Sequence, residues 1–199
     1  MRINKIDNYK IILASKSPRR QALLKELFSM NENISIEIKT KEIVENYPKN
    51  LKGEEIALFL SKQKADGFSY DEIGENTILI TADTIVYLDN LVLNKPKDFD
   101  DAFETLKLLS GKKHEVITAV FLKSREKLKS FAVTTNVFFK ELSDEEITFY
   151  VKHYKPYDKA GAYGIQEWIG YIGIEKIEGS FYNVMGLPVQ ALYEELNMF

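Results

Sequence analysis

The chain has 199 residues, of which 45% are hydrophobic and 29% charged, and a formal net charge of -3; this is the balance of an ordinary globular protein. It contains no cysteine, which excludes disulfides, thiolate zinc sites and cysteine nucleophiles. The acidic balance argues against a nucleic-acid partner. Residues 1–10 lack the pattern of a signal peptide, and no apolar run approaches the ~18 residues that a membrane span needs. These features predict a cytoplasmic protein without a membrane partner.

The first half of the chain alternates short apolar runs with helical patterns. Ser17 and Pro18 are typical of a helix start, because serine caps a helix and proline suits its first position. Asp89 and Asn90 predict the turn of a hairpin. The predicted elements are strands over residues 9–14, 34–38 and 77–82, helices from residues 18 and 53, and a hairpin of residues 85–88 with 91–93.

The second half adds longer strands. Ser143 and Glu146 form a capping-box pattern that predicts a helix start. The predicted elements are a helix over residues 99–109, strands over 114–123 and 131–140, a helix over 143–154, a loop over 155–166, a strand over 171–177 and a helix over 188–196. This order predicts a mixed α/β fold, with helices around an extended mixed sheet. The length fits a single domain over residues 1–199, or two lobes around a cleft.

The first candidate site is the helix start after the first strand. Ser15, Ser17, Arg19 and Arg20 would surround free backbone N–H groups there, which favours an anion, and paired guanidinium groups can hold phosphate oxygens. An N-capped surface helix with solvated arginines is the competing interpretation. The phosphate-loop pattern of many nucleotide-binding proteins is absent from the sequence.

Asp83 is the second candidate, at the predicted end of a buried strand. A carboxylate there can accept a proton from water or bind a divalent cation. The alternative is an aspartate that opens the following turn.

Basic residues and one glycine-rich loop complete the candidates. Lys64, Lys95 and Lys159 could neutralise phosphate charge, although most lysines are simply solvated. The loop of residues 159–166 ends in Gln166, whose amide both donates and accepts hydrogen bonds, as the edge of a pyrimidine base requires. A plain connecting loop is the alternative. The two histidines, His114 and His153, lack metal-ligand spacing.

Together these segments resemble the Maf family of nucleotide pyrophosphatases. The resemblance rests on ILASKSPRR, ITADTIV, NKPKD, LLSGKKHEVITAV, DKAGAYGIQ and GSFYNVMGLP, in that order, and it extends from about Ile11 to Leu196. It implies a fold similar to that of inosine-triphosphate pyrophosphatases and hydrolysis of a nucleoside triphosphate to monophosphate and pyrophosphate with Mg²⁺ or Mn²⁺. It also implies a tendency to form homodimers.

By position, the resemblance implies that Asp83 is the proton acceptor and that Arg19, Thr84 and Gln166 select dTTP and UTP. Glu45 matches an acidic position, so Glu45 and Asp83 are the implied metal ligands; the neighbouring Glu42 remains an alternative to Glu45. Glu167 and Trp168 depart from the small residue often found after Gly-Ile-Gln. The rival function is a nucleotide-binding regulator of septum formation and cell division in which hydrolysis is incidental.

Overall fold

The structure, a computed structural model, describes Ile6 and residues 9–199. Most of the segment examined for a signal peptide, residues 1–10, therefore lies outside the described residues. Within the described chain the fold is a mixed α/β fold, as predicted, and no helix there is long and apolar enough to cross a membrane.

The order of elements follows the alternation expected from the sequence. The strands are β1 (Lys10–Leu13), β2 (Ser35–Ile38), β3 (Thr77–Leu88), β4 (Leu91–Leu93), β5 (Lys113–Lys123), β6 (Leu128–Phe139) and β7 (Ile174–Glu178). The helices are α1 (Pro18–Leu27), α2 (Glu54–Asp66), α3 (Tyr70–Ile73), α4 (Phe99–Leu109), α5 (Asp144–Tyr154), α6 (Trp168–Gly173), α7 (Phe181–Met185) and α8 (Val189–Met198), and a 3₁₀ turn covers Ala160–Ala162.

The strands form a seven-stranded sheet in the order β2-β1-β3-β5-β6-β7, with β4 paired to β3. β1 runs parallel to both β2 and β3. β4 is antiparallel to β3, and β7 is antiparallel to β6. The sheet is therefore mixed, in agreement with the predicted fold class.

The chain divides into two compact units. The first unit comprises residues up to Asp83, Thr118–Val133 and Gly186–Phe199; the second comprises Thr84–Ile117 and Thr134–Met185. In the first unit, Leu24 of α1 and Leu192 of α8 pack with Ile11 and Ile78 of the sheet. In the second unit, Leu106 of α4 and Tyr150 of α5 pack against Val137. Each unit thus has an apolar core of its own.

Two helix starts behave as their sequences predict. Ser17 caps α1, with proline at the start of the helix. Ser143 caps α5 in a capping box with Glu146. In the second half of β6 every second residue is buried, namely Thr135, Val137 and Phe139.

Two strand predictions were wrong. The predicted break at Asp83 does not exist, because β3 continues through it to Leu88 and pairs there with β4. Residues 171–177 were predicted as one strand, but α6 occupies the first part and β7 begins only at Ile174. The backbone N–H groups of Gly170 and Tyr171 both donate to the Glu167 carbonyl, which turns the chain into a helix. A short apolar run is ambiguous between the two states.

Candidate active site

Asp83 lies inside β3, shortly beyond the point where β1 stops pairing with that strand. The last parallel pair joins Leu13 to Ile80, and the backbone N–H of Ala14 still donates to Ile80 O at 2.9 Å. Asp83 is only 6% exposed. A buried carboxylate is costly unless neighbouring groups compensate its charge, so its partners decide what it can do.

Lys64 supplies the compensating charge. It lies in the last turn of α2, and its ammonium group donates a hydrogen bond to Asp83 Oδ1. The same Nζ atom lies 2.9 Å from Glu45 Oε1. Glu45 belongs to the irregular segment between β2 and α2. One lysine thus brings two carboxylates from distant parts of the sequence to one place in the first unit.

The pKa of Asp83 is raised above its ordinary value. Burial is the largest cause, and the nearby carboxylate of Glu45 adds to it, while Lys64 and Arg20 oppose the shift. Loss of solvent around the carboxylate therefore outweighs the attraction of the two cations. A carboxylate with a raised pKa is a stronger base than an ordinary aspartate, which suits proton abstraction from water.

Arg20 is the second cation near Asp83. Its Nε donates to Gly186 O at 2.7 Å, and one terminal nitrogen donates to Ala82 O at 2.9 Å. Burial lowers the pKa of Arg20, and the charge of Asp83 opposes that shift. The guanidinium is thus fixed by backbone carbonyls next to the candidate base.

The helix start after β1 has the local structure expected from its sequence. Ser15 is buried, and its hydroxyl accepts from the Ser17 N–H at 3.2 Å. The Ser17 hydroxyl accepts from the Arg20 N–H at 3.4 Å. The two serine hydroxyls thus accept from backbone N–H groups of the helix start, the turn that the sequence predicted as an anion-binding site.

The structure distinguishes the two candidate acidic helpers. Glu42 is exposed and pairs with Lys16 at 3.2 Å. Glu45 shares Lys64 with Asp83 and lies close enough to Arg20 to influence its pKa. The geometry favours Glu45 over Glu42. Arg19, next to Arg20 in the first turn of α1, is half-buried.

The two carboxylates also fit a divalent cation in part. In the described part of the chain no cluster of three or more histidine, aspartate or glutamate side chains has metal-binding geometry. Mg²⁺, however, commonly uses one or two protein carboxylates and takes its other ligands from water and substrate phosphates. Asp83 and Glu45 supply that minimum, and both already face a cationic group, the Lys64 ammonium.

A second group of candidates lies in the second unit, around a tight turn over residues 164–167. The Glu167 N–H donates to Gly164 O at 3.0 Å, closing the turn. Lys159 is buried, and its ammonium contacts Asp158 at 2.7 Å and Glu167 at 3.1 Å. Because an ammonium has three N–H donors, Lys159 retains the capacity for one more acceptor such as a phosphate oxygen.

Gln166 occupies the third position of this turn. Its side-chain oxygen is buried and has no hydrogen-bond partner among the residues that the structure describes. An unsatisfied buried polar atom is costly, so a native one calls for an explanation such as a ligand. Gln166 is therefore the best-supported ligand-binding candidate of the second unit.

The remaining candidates are less informative. Lys95 is exposed just after β4, and Thr84 follows Asp83 within β3 and is half-buried. Neither position adds an argument for or against the predicted roles of the two side chains.

A family comparison identifies the chain. The family model described as "Maf: Maf-like protein" matches residues 10–199, which is nearly the entire chain. The chain belongs to the Maf family. The family resemblance predicted from the sequence motifs is thereby confirmed.

Relatives in this family match at nearly full length. A protein named dTTP/UTP pyrophosphatase from Phocaeicola vulgatus is 52% identical over 195 residues, which covers 98% of both chains. A protein of the same name from Porphyromonas gingivalis is 47% identical over 199 residues, covering 99% of this chain and 98% of its own. A third, from Bacteroides fragilis, is 50% identical over 192 residues and 96% of both chains.

Two solved structures with a similar fold are more distant in sequence than these Maf relatives. A HAM1 protein from Coxiella burnetii is 13% identical, with a TM-score of 0.46 over 96% of this chain and 100% of its own. A nucleoside-triphosphatase (dITP/XTP pyrophosphatase) from Mycobacterium abscessus is 16% identical, with a TM-score of 0.43 over 67% of this chain and 75% of its own.

Tyr150 is the site-adjacent residue that sequence reasoning missed. It is fully buried on α5, its hydroxyl donates to Glu167 Oε2, and that hydroxyl accepts from the Gly164 N–H at 3.1 Å. In the sequence it shares the apolar face of α5 with Ile147 and Val151, a pattern that is typical of a core residue. A hydroxyl on a core face was the available signal, because a buried tyrosine O–H normally has a partner.

Proposed function

We propose that this chain is a nucleoside-triphosphate pyrophosphatase that hydrolyses dTTP and UTP to the monophosphate and pyrophosphate. The observation that carries the proposal is the buried Asp83 carboxylate with a raised pKa, held by Lys64 beside Arg20 and Glu45. The names of the full-length relatives point to the same activity. No separate observation favours the rival role in septum formation.

Asp83 is the proposed base. A water oxygen forms a bond to the α-phosphorus, the bond from that phosphorus to the bridging oxygen of the β-phosphate breaks, and pyrophosphate leaves with the bond electrons. The water proton passes to Asp83, whose raised pKa makes it able to hold that proton during the step.

Cationic side chains neutralise the negative charge that develops on the phosphate oxygens. Arg20 and Lys64 lie beside the base, and we assign them to phosphate binding with the turn of Ser15 and Ser17. Fixed charges in a water-poor site stabilise such a transition state strongly. Lys95 and Lys159 are proposed phosphate ligands as well.

Asp83 and Glu45 are the proposed ligands of Mg²⁺ or Mn²⁺. A bound divalent cation would neutralise phosphate charge and polarise a phosphorus–oxygen bond. A carboxylate has about four acceptor sites on its two oxygens, so Asp83 could bind the cation and accept the proton while Oδ1 keeps its hydrogen bond from Lys64.

We further propose that Gln166 recognises the base, helped by Arg19 and Thr84. The buried, unpartnered amide oxygen of Gln166 accepts a hydrogen bond from the N–H that uracil and thymine carry and cytosine lacks. A site built to make such a bond discriminates strongly against ligands that leave it unmade. A cytoplasmic location, near the nucleotide pool, fits this function.

The decisive assay is pyrophosphate release from a panel of triphosphates with Mg²⁺ or Mn²⁺. The wild-type protein should release pyrophosphate from dTTP and UTP, and no release from either would overturn the proposal. Asp83→Asn should lower kcat by about 10²-fold or more while UTP binding, measured by calorimetry, persists.

Asp89→Asn is the matched control for this substitution. Asp89 is an exposed turn residue with φ +50° after the same strand, and asparagine tolerates that conformation. It should keep wild-type turnover. A nucleotide-binding regulator with incidental hydrolysis would instead show slow release that Asp83→Asn leaves unchanged.

A further inference from the structure

The turn that carries Gln166 is held by one buried hydrogen-bond chain. The Gly164 N–H donates to the Tyr150 hydroxyl at 3.1 Å, and that hydroxyl donates to Glu167 Oε2. The other carboxylate oxygen of Glu167 lies 3.1 Å from the Lys159 ammonium. The first and last residues of the turn are therefore both anchored to the same tyrosine.

Tyr150 is suited to this task because its proton stays in place. Its pKa is raised, chiefly by burial and further by its hydrogen bond to Glu167. A hydroxyl that remains protonated donates to the carboxylate and still accepts from a backbone N–H. The α5 helix thus supplies a rigid support for the turn.

Close packing leaves the turn little freedom. A Cβ added at Gly164 would lie 2.8 Å from the carboxyl carbon of Glu167. The carboxylate therefore occupies the space that only a glycine leaves open at the first position. Ile165, the residue between Gly164 and Gln166, is buried in the core of this unit.

We infer that Glu167 and Tyr150 are positioning residues for substrate choice: they hold the Gln166 amide at the orientation in which it recognises a pyrimidine base. This inference rests on the proposed function and deepens it. The anchor at the last position of the turn is the Glu167 side chain, whose carboxylate accepts from the Tyr150 hydroxyl. Their hydrogen bonds act on Gln166 through the backbone of the turn, at its first and last residues.

The test compares UTP with GTP. Binding is measured by calorimetry with the uncleavable α,β-methylene analogues of both nucleotides, and kcat/KM is measured by pyrophosphate release. Gln166→Ala gives the size of a full loss of recognition. Glu167→Ala and Tyr150→Phe should each reduce the UTP-to-GTP ratio about tenfold or more, toward the Gln166→Ala value.

The conservative variant separates positioning from charge. Glu167→Gln keeps an oxygen that accepts from Tyr150, so its UTP-to-GTP ratio should stay close to wild type. Glu146→Gln is the matched control on α5, since Glu146 caps that helix and pairs with Lys140 at 2.7 Å. It should leave the ratio unchanged.

The ratio is insensitive to partial misfolding, because both nucleotides meet the same folded fraction of protein. An unchanged ratio in both Glu167→Ala and Tyr150→Phe, with wild-type release of pyrophosphate intact, would overturn the inference alone. Absence of pyrophosphate release by the wild-type protein, with selective analogue binding that these variants lose, would overturn the proposed function and leave the positioning role standing.

Discussion

Lys64 holds two carboxylates with a single ammonium group, and this arrangement is more useful for chemistry than for stability. A buried ion pair generally recovers little more than the cost of removing its charges from water. Here the two cations do not restore even the ordinary pKa of Asp83: it stays raised, because the effect of burial outweighs the attraction of Lys64 and Arg20. Strongly perturbed carboxylates of this kind are typical of functional sites.

The acid side of the pH–rate profile tests this balance. Protonated Asp83 cannot accept a proton, so kcat/KM should fall as the pH falls through the pKa of Asp83. Lys64 lowers that pKa; Lys64→Ala should therefore move the acid limb to higher pH by about one pH unit, in addition to lowering activity. The measurement is kcat/KM for UTP across the acid range.

Lys62→Ala is the control on the same helix. Lys62 forms an exposed pair with Asp66 at 2.6 Å, and its removal should leave the position of the limb as in the wild type. A limb that stays in place after Lys64→Ala would show that a group other than Asp83 sets it.

At the scale of elements, β3 carries the candidate base in the middle of a long strand. Residues of β3 before Asp83 pair with β1, and residues after it pair with β4. The sequence indicated a break there because an aspartate after an apolar run usually opens a turn. The two parts of β3 pair with different strands, and only the tertiary structure shows that they form one continuous strand.

Gly161 shows a second constraint at this scale. It has φ +68°, and a Cβ there would lie 2.8 Å from Val86 Cγ2 of β3. Gly161→Ala should therefore lower the free energy of unfolding by about 2 kcal/mol or more, through backbone strain plus overlap. Urea denaturation measures the loss.

Gly111→Ala provides the comparison for Gly161→Ala. Gly111 has the same φ, +68°, but an added Cβ there would meet only the side chain of Glu141, whose Cγ lies at 3.2 Å. Gly111→Ala should lose less stability, since the exposed Glu141 side chain can move aside and Val86 within β3 cannot. Equal losses in the two variants would show that packing against Val86 contributes nothing.

At the scale of the whole molecule, one buried histidine should make stability depend on pH. His114 is 1% exposed, and its Nε2 lies 2.8 Å from the Tyr163 hydroxyl. Burial lowers the pKa of His114 from 6.5 to about 4. Below pH 6.5 the unfolded chain gains a proton on this histidine that the folded chain refuses, so folding weakens as the pH falls from 6.5 toward 4.

The expected contribution of His114 is a loss of about 2 kcal/mol in unfolding free energy between pH 7 and pH 5. His114→Phe should remove this part of the pH dependence, whatever its stability at pH 7. His153→Gln changes the other histidine, which is exposed on α5, and should respond to pH as the wild type does. Urea denaturation at both pH values provides the measurement, and an unchanged response in His114→Phe would contradict the assignment.

The sequence by itself determined the family, the mixed α/β class and most elements, because these depend on local signals. Ser17 and Ser143 mark helix starts through their own hydroxyls, and the alternation in β6 defines its buried face. The short α3 and α7 helices were not predicted, since runs of four or five residues carry too little periodicity.

Only the tertiary structure decided which candidates meet. Lys64 and Asp83 are 19 residues apart, and Tyr150 and Glu167 are 17 apart; neither spacing predicts a contact. It also favoured Glu45 over Glu42. The physical reason is that charge pairing and burial depend on distances set by the packing of whole elements. The residue types predicted a site for phosphate groups. The packing of the elements buries the Asp83 carboxylate and places two cations beside it.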